Sequence, residues 1–205
     1  MQLLYATGNN SKVYNMKRRL KGLPIEVVTP KDLGIKIDVV EDGKTAVENA
    51  IKKAQAYYEE TKIPTIAGDS GLFIDGIPDD KQPGLFVRRV NGKSLTDDEM
   101  IEYYTQLIAS IGGETTGYYV TGLALFTEDG LTTTEISENK FIMSSKPSMN
   151  SHRGNPLDSI TIDPISQKYY TDMTDEDFMS LDHVFDRECV SFLKKNLLGK
   201  TKSKI

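Results

Sequence analysis

Two adjacent residues in the string IAGDSGLFIDG could each carry a reaction, and the two reactions are of different kinds. Ser70 could act as a nucleophile, which requires a histidine within hydrogen-bond reach and donors for an oxyanion. Leu72 stands where a G-x-S-x-G elbow would have its second glycine, and the two histidines, His152 and His183, lie in a polar loop pattern and in a terminal helix pattern. These residue types disfavour serine catalysis and leave Asp69 as the stronger candidate.

Carboxylates in two separate segments suit a metal site. Asp69 follows the buried-strand pattern PTIA, so we predict that it lies at the carboxyl end of a strand, where α/β sheets bind ligands. Glu41 and Asp42 follow two valines just before a predicted helix and repeat this arrangement. Such oxygen ligands suit Mg²⁺, although solvated turn residues would give the same pattern. Ser70 and Gly71 would then line the binding site of an anionic ligand beside Asp69.

Two further parts of the chain could bind phosphate: one precedes these carboxylates, and the other lies between Asp42 and Asp69. A strand leads into Thr7, Gly8 and Asn9, and a helix begins directly after them, so that backbone N–H groups and Lys12 could bind a phosphate. The spacing is not that of a P-loop, and a polar turn with a helix cap is the alternative. Lys53 lies on the next predicted helix, away from its apolar stripe, where lysines are commonly only solvated.

Strands and helices alternate early in the chain, and a hairpin signal follows in the middle, which predicts a mixed α/β sheet. Capping boxes are predicted at Thr45 with Glu48 and at Thr96 with Glu99. The predicted strands cover 1–6, 25–30, 64–69 and two long runs joined near 129–130, with a further edge strand at 72–75. The predicted helices begin at 11, 45 and 96, and a terminal helix covers about 175–198.

Composition excludes several classes of protein. The 205 residues are 38% hydrophobic and 27% charged, with a net charge of -5, which argues against a general nucleic-acid binder. We assign them to one domain, 1–205. The single cysteine, Cys189, is too little for a disulfide or a thiolate cage, and we predict that it lies in the core. The longest apolar run has about half the length of a membrane span. We therefore predict a soluble, cytoplasmic protein without nucleic-acid or membrane partners.

Four segments, in this order and spacing, resemble the inosine triphosphate pyrophosphatase family, the non-canonical purine nucleoside triphosphate pyrophosphatases that remove ITP, dITP and XTP from the nucleotide pool. ATGNNSK is similar to the family's [ST]-G-N-x-x-K phosphate motif, and EDGKTAVENAIKKA to its metal-binding glutamate, E-N-A helix and lysine. IAGDSGLFIDG resembles its A-[DE]-D-[ST]-G-L segment, and QPGLFVRR its P-G-[IV]-x-[SA]-x-R turn. The resemblance covers residues up to about 90.

The resemblance implies roles for individual residues. Glu41 and Asp69 would bind Mg²⁺, and Asp69 would also act as the base for water. Gly68 departs from the family pattern, which has a second acid at this position. Asp69 and Lys53 would be the catalytic residues, and Lys12 and Lys53 would contact the triphosphate. The further predicted substrate-binding residues are Thr7, Gly8 and Asn9 in the loop, Ser70 and Gly71 beside Asp69, and Arg89, which matches the arginine after P-G.

The C-terminal third departs further from the family. Placing GNPLDSIT over the family's G-F-G-Y-D-P-I-F segment, and LDHV over I-S-H-R, matches Asp158 and His183 to family positions for substrate binding. Asn155 replaces the aromatic residue that stacks on the base, Phe178 replaces a lysine, and Val184 replaces the final arginine. Since aromatic faces and arginines hold and discriminate bases, preference for a six-keto purine is in question.

The resemblance implies an elongated fold with a mixed central sheet flanked by helices, two lobes around a substrate groove, and a homodimer. It implies Mg²⁺-dependent hydrolysis of nucleoside triphosphates, with water attack at the α-phosphorus, to a nucleoside monophosphate and pyrophosphate. Two alternatives stay open: a nucleotide-binding protein that has lost turnover, and a phosphohydrolase of different specificity on the same scaffold.

Overall fold

The computed structural model of the chain describes residues 1–150, 154–181 and 183–199. Its helices are α1 (Asn10–Arg19), α2 (Ala46–Thr61), α3 (Asp97–Ser110), α4 (Asp175–Ser180) and α5 (Val184–Leu193). Its strands are β1 (Gln2–Tyr5), β2 (Glu26–Val28), β3 (Thr65–Ile74), β4 (Arg89–Val90), β5 (Lys93–Ser94), β6 (Glu114–Thr127), β7 (Gly130–Ser137), β8 (Phe141–Ser144) and β9 (Thr161–Ile162). A π-helical turn, Lys194–Leu198, continues α5.

Seven of these strands form one mixed sheet in the order β2-β1-β3-β6-β8-β9, with β7 paired to β6. β1 runs parallel to β2 and to β3, so that Leu4 lies beside Val28 on one side and Thr65 on the other. β8 runs antiparallel to β6 and to β9. The sheet confirms the predicted mixed α/β class, and the pairing of β6 with β7 confirms the central hairpin. The groove between two lobes stays a prediction.

The contacts divide the chain into two compact units. The first unit comprises Met1–Ser70, Thr121–Ser137 and the described residues from Val184 onward. The second unit comprises Gly71–Val120 and Glu138–His183. The assignment of 1–205 to one functional domain stays a prediction.

In the first unit the two faces of the sheet differ in the size of their side chains. One face packs against α1 and α5 through large apolar residues, because alternate residues of a strand point to the same face. On the opposite face, the buried residues that pack between the sheet and α2 are all alanines, with Ile51, Tyr57 and Phe126 partly buried against them, and these small side chains let the helix approach the strands closely. The large-residue face includes Leu3, Tyr5, Met16, Ile66, Leu123, Leu125, Cys189 and Leu193. The alanine face consists of Ala6, Ala50, Ala54, Ala67 and Ala124.

Gly122 shows how close α2 lies to β6. A Cβ at this position would lie 2.3 Å from the backbone nitrogen of Val47 and 2.6 Å from the carbonyl carbon of Ala46. No side chain fits there without moving the first turn of the helix. The alanine face and Gly122 therefore fix the position of α2 against the sheet.

The second unit is built around α3, β8 and the remaining parts of β3 and β6. Leu72 and Ile74 of β3 pack with Met100, Tyr104 and Ile108 of α3 in one core. The Tyr104 hydroxyl donates a hydrogen bond to the carbonyl oxygen of Val87 at 2.9 Å. The capping box predicted at the start of α3 is confirmed, since the Thr96 and Glu99 side chains each bond the other's backbone N–H.

Several element boundaries differ from the sequence-based predictions. β3 runs unbroken to Ile74, because Leu72 and Ile74 are buried on one side and extend the strand. The predicted terminal helix is two helices: the Ser180 hydroxyl bonds the Asp177 carbonyl oxygen, and Leu181 leaves the helical conformation with a ψ of 134°. The second strand of the hairpin is likewise two strands, interrupted at the polar residues 138–140.

Candidate active site

Asp69 lies within β3, three residues beyond Ile66, where the pairing of β3 with β1 ends. The prediction that it ends a strand is therefore wrong, but it does lie past the carboxyl end of the parallel neighbour β1. Its side chain lies on the α2 face of the sheet, since its amide partner belongs to that helix. The continuous strand fixes the backbone of Asp69 on this face.

Three predicted site residues, Glu41, Lys53 and Asp69, lie together in the first unit, with Lys53 between the two carboxylates. Its ammonium donates to Oε2 of Glu41 at 2.9 Å and lies 4.0 Å from Oδ1 of Asp69. It also donates to the backbone carbonyl oxygen of Gly68 at 3.3 Å. The Lys53 and Asp69 side chains are 15% and 20% exposed, so that this lysine is a half-buried part of a cluster.

Asn49 is a site residue that the sequence-based reasoning did not identify. Its side-chain Nδ2 donates to Oδ2 of Asp69 at 2.8 Å, and its Oδ1 accepts from the backbone N–H of Gly43 at 2.8 Å. The residue is 2% exposed, although it lies on the first turns of a helix. A sequence signal was present, because asparagine is unfavourable inside helices and here it stands beside alanines.

Glu41 lies in an irregular segment between β2 and α2, not at the end of a strand as predicted. Side chains of α2 hold this segment: Lys52 pairs with Asp42, and Lys53 with Glu41. The Lys52 hydrogen bond lowers the pKa of the Asp42 carboxyl below its ordinary value. The predicted capping box at Thr45 is only half formed, since Glu48 bonds the N–H of Lys44 instead.

The predicted phosphate loop follows β1 directly. The side-chain oxygen of Asn9 accepts hydrogen bonds from the backbone N–H groups of Ser11 and Lys12, at 2.9 and 3.1 Å, and so caps α1. The backbone N–H of Asn9 in turn donates to the Thr7 hydroxyl at 3.2 Å. A Cβ at the exposed Gly8 would meet no atom within 4 Å, so this side of the loop is open.

Ser70 is hydrogen-bonded to another hydroxyl. Its Oγ lies 2.8 Å from Oγ1 of Thr121, and either group can donate. A threonine hydroxyl is not a base at neutral pH, so this contact does not activate a nucleophile.

Gly71 and the P-G turn meet in the second unit. The backbones of Leu72 and Gly84 exchange hydrogen bonds of 2.9 and 3.0 Å, and a Cβ on Gly71 would lie 3.2 Å from the carbonyl carbon of Gly84. Arg89 is exposed in β4, with its guanidinium 5.2 Å from the centre of the Phe86 ring. The neighbouring Arg88 instead pairs with Asp97 at 2.8 Å.

The residues aligned to the base-binding segments also belong to the second unit, except Val184, which begins α5. Asn155 precedes a short 3₁₀ helix (Pro156–Ser159) that contains Asp158. His183 lies before α5 and outside any helix, contrary to the prediction, and its ring is stacked on Phe178 with centroids 6.3 Å apart. His152 lies outside the described residues.

An aromatic row extends from this stacked pair. Its successive ring centroids are 5.5 to 6.3 Å apart. Burial, followed by the charge of Asp158, raises the pKa of Tyr119 above its ordinary range. The row consists of Tyr119, Phe141, Tyr170, Phe178 and His183.

No group of three or more histidine, cysteine, aspartate or glutamate side chains that could hold a metal ion occurs among the described residues. Glu41 and Asp69 supply two carboxylates, and Mg²⁺ commonly completes its shell with waters and phosphate oxygens. No helix within the described ranges is long and apolar enough to cross a membrane.

Comparison with known proteins defines the family. A model of the Ham1 family matches residues 3–184, and the chain belongs to this family, as the resemblance to the inosine triphosphate pyrophosphatases predicted. A dITP/XTP pyrophosphatase of Leptospira interrogans (serogroup Icterohaemorrhagiae, serovar copenhageni) is 39% identical over 97 residues, which are 47% of this chain and 48% of the relative. The chain spans about half the length of the curated relatives it matches.

Two solved structures share the fold along nearly the whole chain. The Ham1 protein of Staphylococcus aureus has a TM-score of 0.74 at 21% identity, covering 98% of this chain and 100% of its own. A HAM1 protein from Coxiella burnetii has a TM-score of 0.75 at 24% identity, covering 95% and 99%. At these identities the likeness establishes the fold alone.

Proposed function

We propose that this chain is a Mg²⁺-dependent enzyme that hydrolyses nucleoside triphosphates to a nucleoside monophosphate and pyrophosphate. Membership of the Ham1 family and relatives named dITP/XTP pyrophosphatases support this assignment. The observation that carries it is the cluster in which the Lys53 ammonium lies 2.9 Å from Glu41 and 4.0 Å from Asp69. This cluster combines a cation for phosphate with carboxylates for a metal and for water.

The residues present fit a magnesium ion. Glu41 and Asp69 are hard oxygen ligands, and both lie within 4.0 Å of one positive charge, the ammonium of Lys53, so the pair already accommodates a cation. Bound Mg²⁺ would supply positive charge against the phosphate oxygens and their charge in the transition state.

The chain's own groups account for the remaining steps. Asp69 orients a water molecule and accepts its proton as the water oxygen bonds to the α-phosphorus. The bond from that phosphorus to the bridging oxygen breaks, and pyrophosphate leaves. Lys53 and Lys12 offset the phosphate charge, and Thr7, Gly8 and Asn9 shape the loop beside them. Ser70 and Gly71 line the site next to Asp69.

We propose that selection of the nucleobase is altered or relaxed compared with the family pattern. Asn155 and Val184 supply neither the aromatic face nor the arginine of the family pattern. Asp158 and His183 are the candidate contacts to the base, and Arg89 is a further candidate contact to the substrate. The stacking of His183 on Phe178 supplies a flat aromatic surface at which a base could stack. We also propose a homodimer in the cytoplasm, for which sedimentation of the purified chain and its fractionation in cells are the measurements.

The test is release of pyrophosphate with Mg²⁺ from ITP, XTP, dITP, and the standard ribo- and deoxyribonucleoside triphosphates. We expect turnover that requires Mg²⁺ and that Asp69→Asn abolishes. Nucleotide binding without turnover would favour a binding protein. Release of orthophosphate in place of pyrophosphate would favour a different phosphohydrolase on this scaffold. Comparison of Phe178→Ala with the wild type over the same substrates tests the aromatic surface.

A further inference from the structure

We propose that Asn49 is a positioning residue that determines which oxygen of Asp69 faces the substrate and holds the Glu41 segment in register with it. The inference rests on the proposed function. It follows from a single side-chain amide whose two ends bond to two separate segments of the site. Burial of an amide is costly unless its donors and acceptors are satisfied, and Asn49 is 2% exposed. Its position inside α2 is therefore explained by the two bonds that it makes.

The orientation of this amide is determined by its partners. The backbone N–H of Gly43 can only donate, so the atom 2.8 Å from it must be the amide oxygen. The Asp69 carboxylate can only accept when it is ionised, so the atom 2.8 Å from its Oδ2 must be the amide nitrogen. A flipped amide would place two donors together at one end and two acceptors at the other.

This orientation differentiates the two oxygens of Asp69. Oδ2 accepts the hydrogen bond from Asn49, and Oδ1 is the oxygen that lies 4.0 Å from the Lys53 ammonium. Oδ1 is therefore on the side of Lys53 and Glu41, where the proposed reaction takes place. Asn49 keeps the carboxylate from rotating and leaves Oδ1 for water.

The second bond of the same amide anchors the segment that carries Glu41. Gly43 follows Glu41 by two residues, so the Asn49 oxygen limits how far that segment can move from β3. The approach requires glycine: a Cβ on residue 43 would lie 2.6 Å from Oδ1 of Asn49 and 2.8 Å from Cβ of Glu48. Gly43 and Asn49 thus form one contact, which a substitution of either residue would disturb.

The test compares Asn49→Asp and Asn49→Ala with the wild type in pyrophosphate release. Asn49→Asp keeps the shape and the acceptor for Gly43 but replaces the donor to Asp69 with an oxygen. Gln55→Glu is the matched control, because it makes the same amide-to-acid change on the exposed side of α2, where Gln55 donates to Glu59 at 2.7 Å. We expect kcat to fall about 10- to 100-fold in both Asn49 variants with KM little changed, and the control to match the wild type.

A second readout does not depend on turnover. Hydrogen exchange of the Gly43 amide, followed by NMR, should accelerate about tenfold or more in Asn49→Ala and stay near the wild-type rate in Asn49→Asp. Gly43→Ala, which reaches the same contact from the loop, should lower kcat as the Asn49 variants do and so covers the case in which one of them does not fold.

The outcomes separate the two proposals. A wild type without pyrophosphate release contradicts the proposed function, and the Gly43 exchange rates then decide on the positioning role. An active wild type whose kcat is unchanged in Asn49→Asp overturns the positioning role alone. An Asn49→Ala variant with the wild-type Gly43 exchange rate also overturns it, as would a rise in KM at constant kcat.

Discussion

The ammonium of Lys53 lies 2.9 Å from the carboxylate of Glu41, 12 residues earlier in the chain, and so joins an irregular segment to a helix at the proposed site. The adjacent Lys52 makes an equivalent ion pair with Asp42 on the exposed surface. Two neighbouring lysines thus pair with two neighbouring acids, but only one of them also reaches β3. This difference makes the two lysines a matched pair for mutagenesis.

We predict that Lys53→Gln lowers kcat/KM for nucleoside triphosphate hydrolysis by about 10²- to 10³-fold, because it removes a preorganised charge from the phosphate site. Lys52→Gln should stay within about twofold of the wild type, since exposed ion pairs contribute little. Steady-state pyrophosphate release at saturating Mg²⁺ measures both. Equal losses in the two variants would mean that the lysines act only by holding the segment in place.

Gly122 and Gly68 provide a comparison of two crowded glycines. In Gly122→Ala the new methyl group would meet the backbone of α2, whereas in Gly68→Ala it would lie 2.9 Å from Cδ2 of Leu123, the end of a side chain. We expect Gly122→Ala to cost about 3 kcal/mol of unfolding free energy and Gly68→Ala about 1 kcal/mol. Urea denaturation measures both costs. Similar losses would show that α2 can shift without strain.

Ser70→Ala should retain turnover within about tenfold, because its hydroxyl pairs with that of Thr121 and has no role in bond formation. Asp69→Asn, which changes the neighbouring residue, should abolish turnover under the same conditions. The rates of the two variants are measured as pyrophosphate release, beside treatment of the wild type with a fluorophosphonate. Inactivation of the wild type by the reagent and loss of turnover in Ser70→Ala would together restore the serine hypothesis.

Burial raises the pKa of the Cys189 thiol from 9.0 to about 11. The folded chain favours the neutral thiol. This preference makes its full contribution to the unfolding free energy below pH 9.0, and the contribution is lost as the pH rises from 9.0 towards 11. The wild type should thus lose more unfolding free energy than Cys189→Ala between about pH 8 and about pH 10. Urea unfolding at the two pH values measures the difference. Burial, followed by the charge of Cys189, raises the pKa of Tyr5 to about 12, so Cys189→Ala also lessens the Tyr5 shift and changes the difference in the same direction.

The predictable part of the fold was that encoded in local patterns. The alternation of apolar strands with capped helices gave α1, α2, α3 and the mixed sheet, and Cys189 proved to be buried as expected. The break between α4 and α5 was missed because the apolar periodicity continues across it, and only the departure of Leu181 from helical geometry reveals it. The end of β3 was missed because Asp-Ser-Gly is a turn-like string, whereas burial of Leu72 and Ile74 extends the strand.

The charged residues of the candidate site could be predicted from the sequence, but the residues that position them could not. Glu41, Lys53 and Asp69 were identified from their types, spacing and resemblance. The contacts that position them depend on distances between segments, which spacing along one chain does not encode. Asn49 bonds two segments at once, and the need for glycine at 43 and 122 arises from atoms of other elements within 3 Å. Such requirements become visible only when the helix is placed against the sheet.

The two carboxylates of the proposed site, Asp69 and Glu41, are held in place by different parts of the structure. Asp69 lies in the interior of a ten-residue strand, while Glu41 lies in a segment without regular backbone pairing that α2 holds by side chains. Opening of the Glu41 segment therefore breaks a few side-chain contacts, whereas displacement of Asp69 would require the sheet itself to open. Local opening would therefore displace the Glu41 carboxylate more readily than the Asp69 carboxylate.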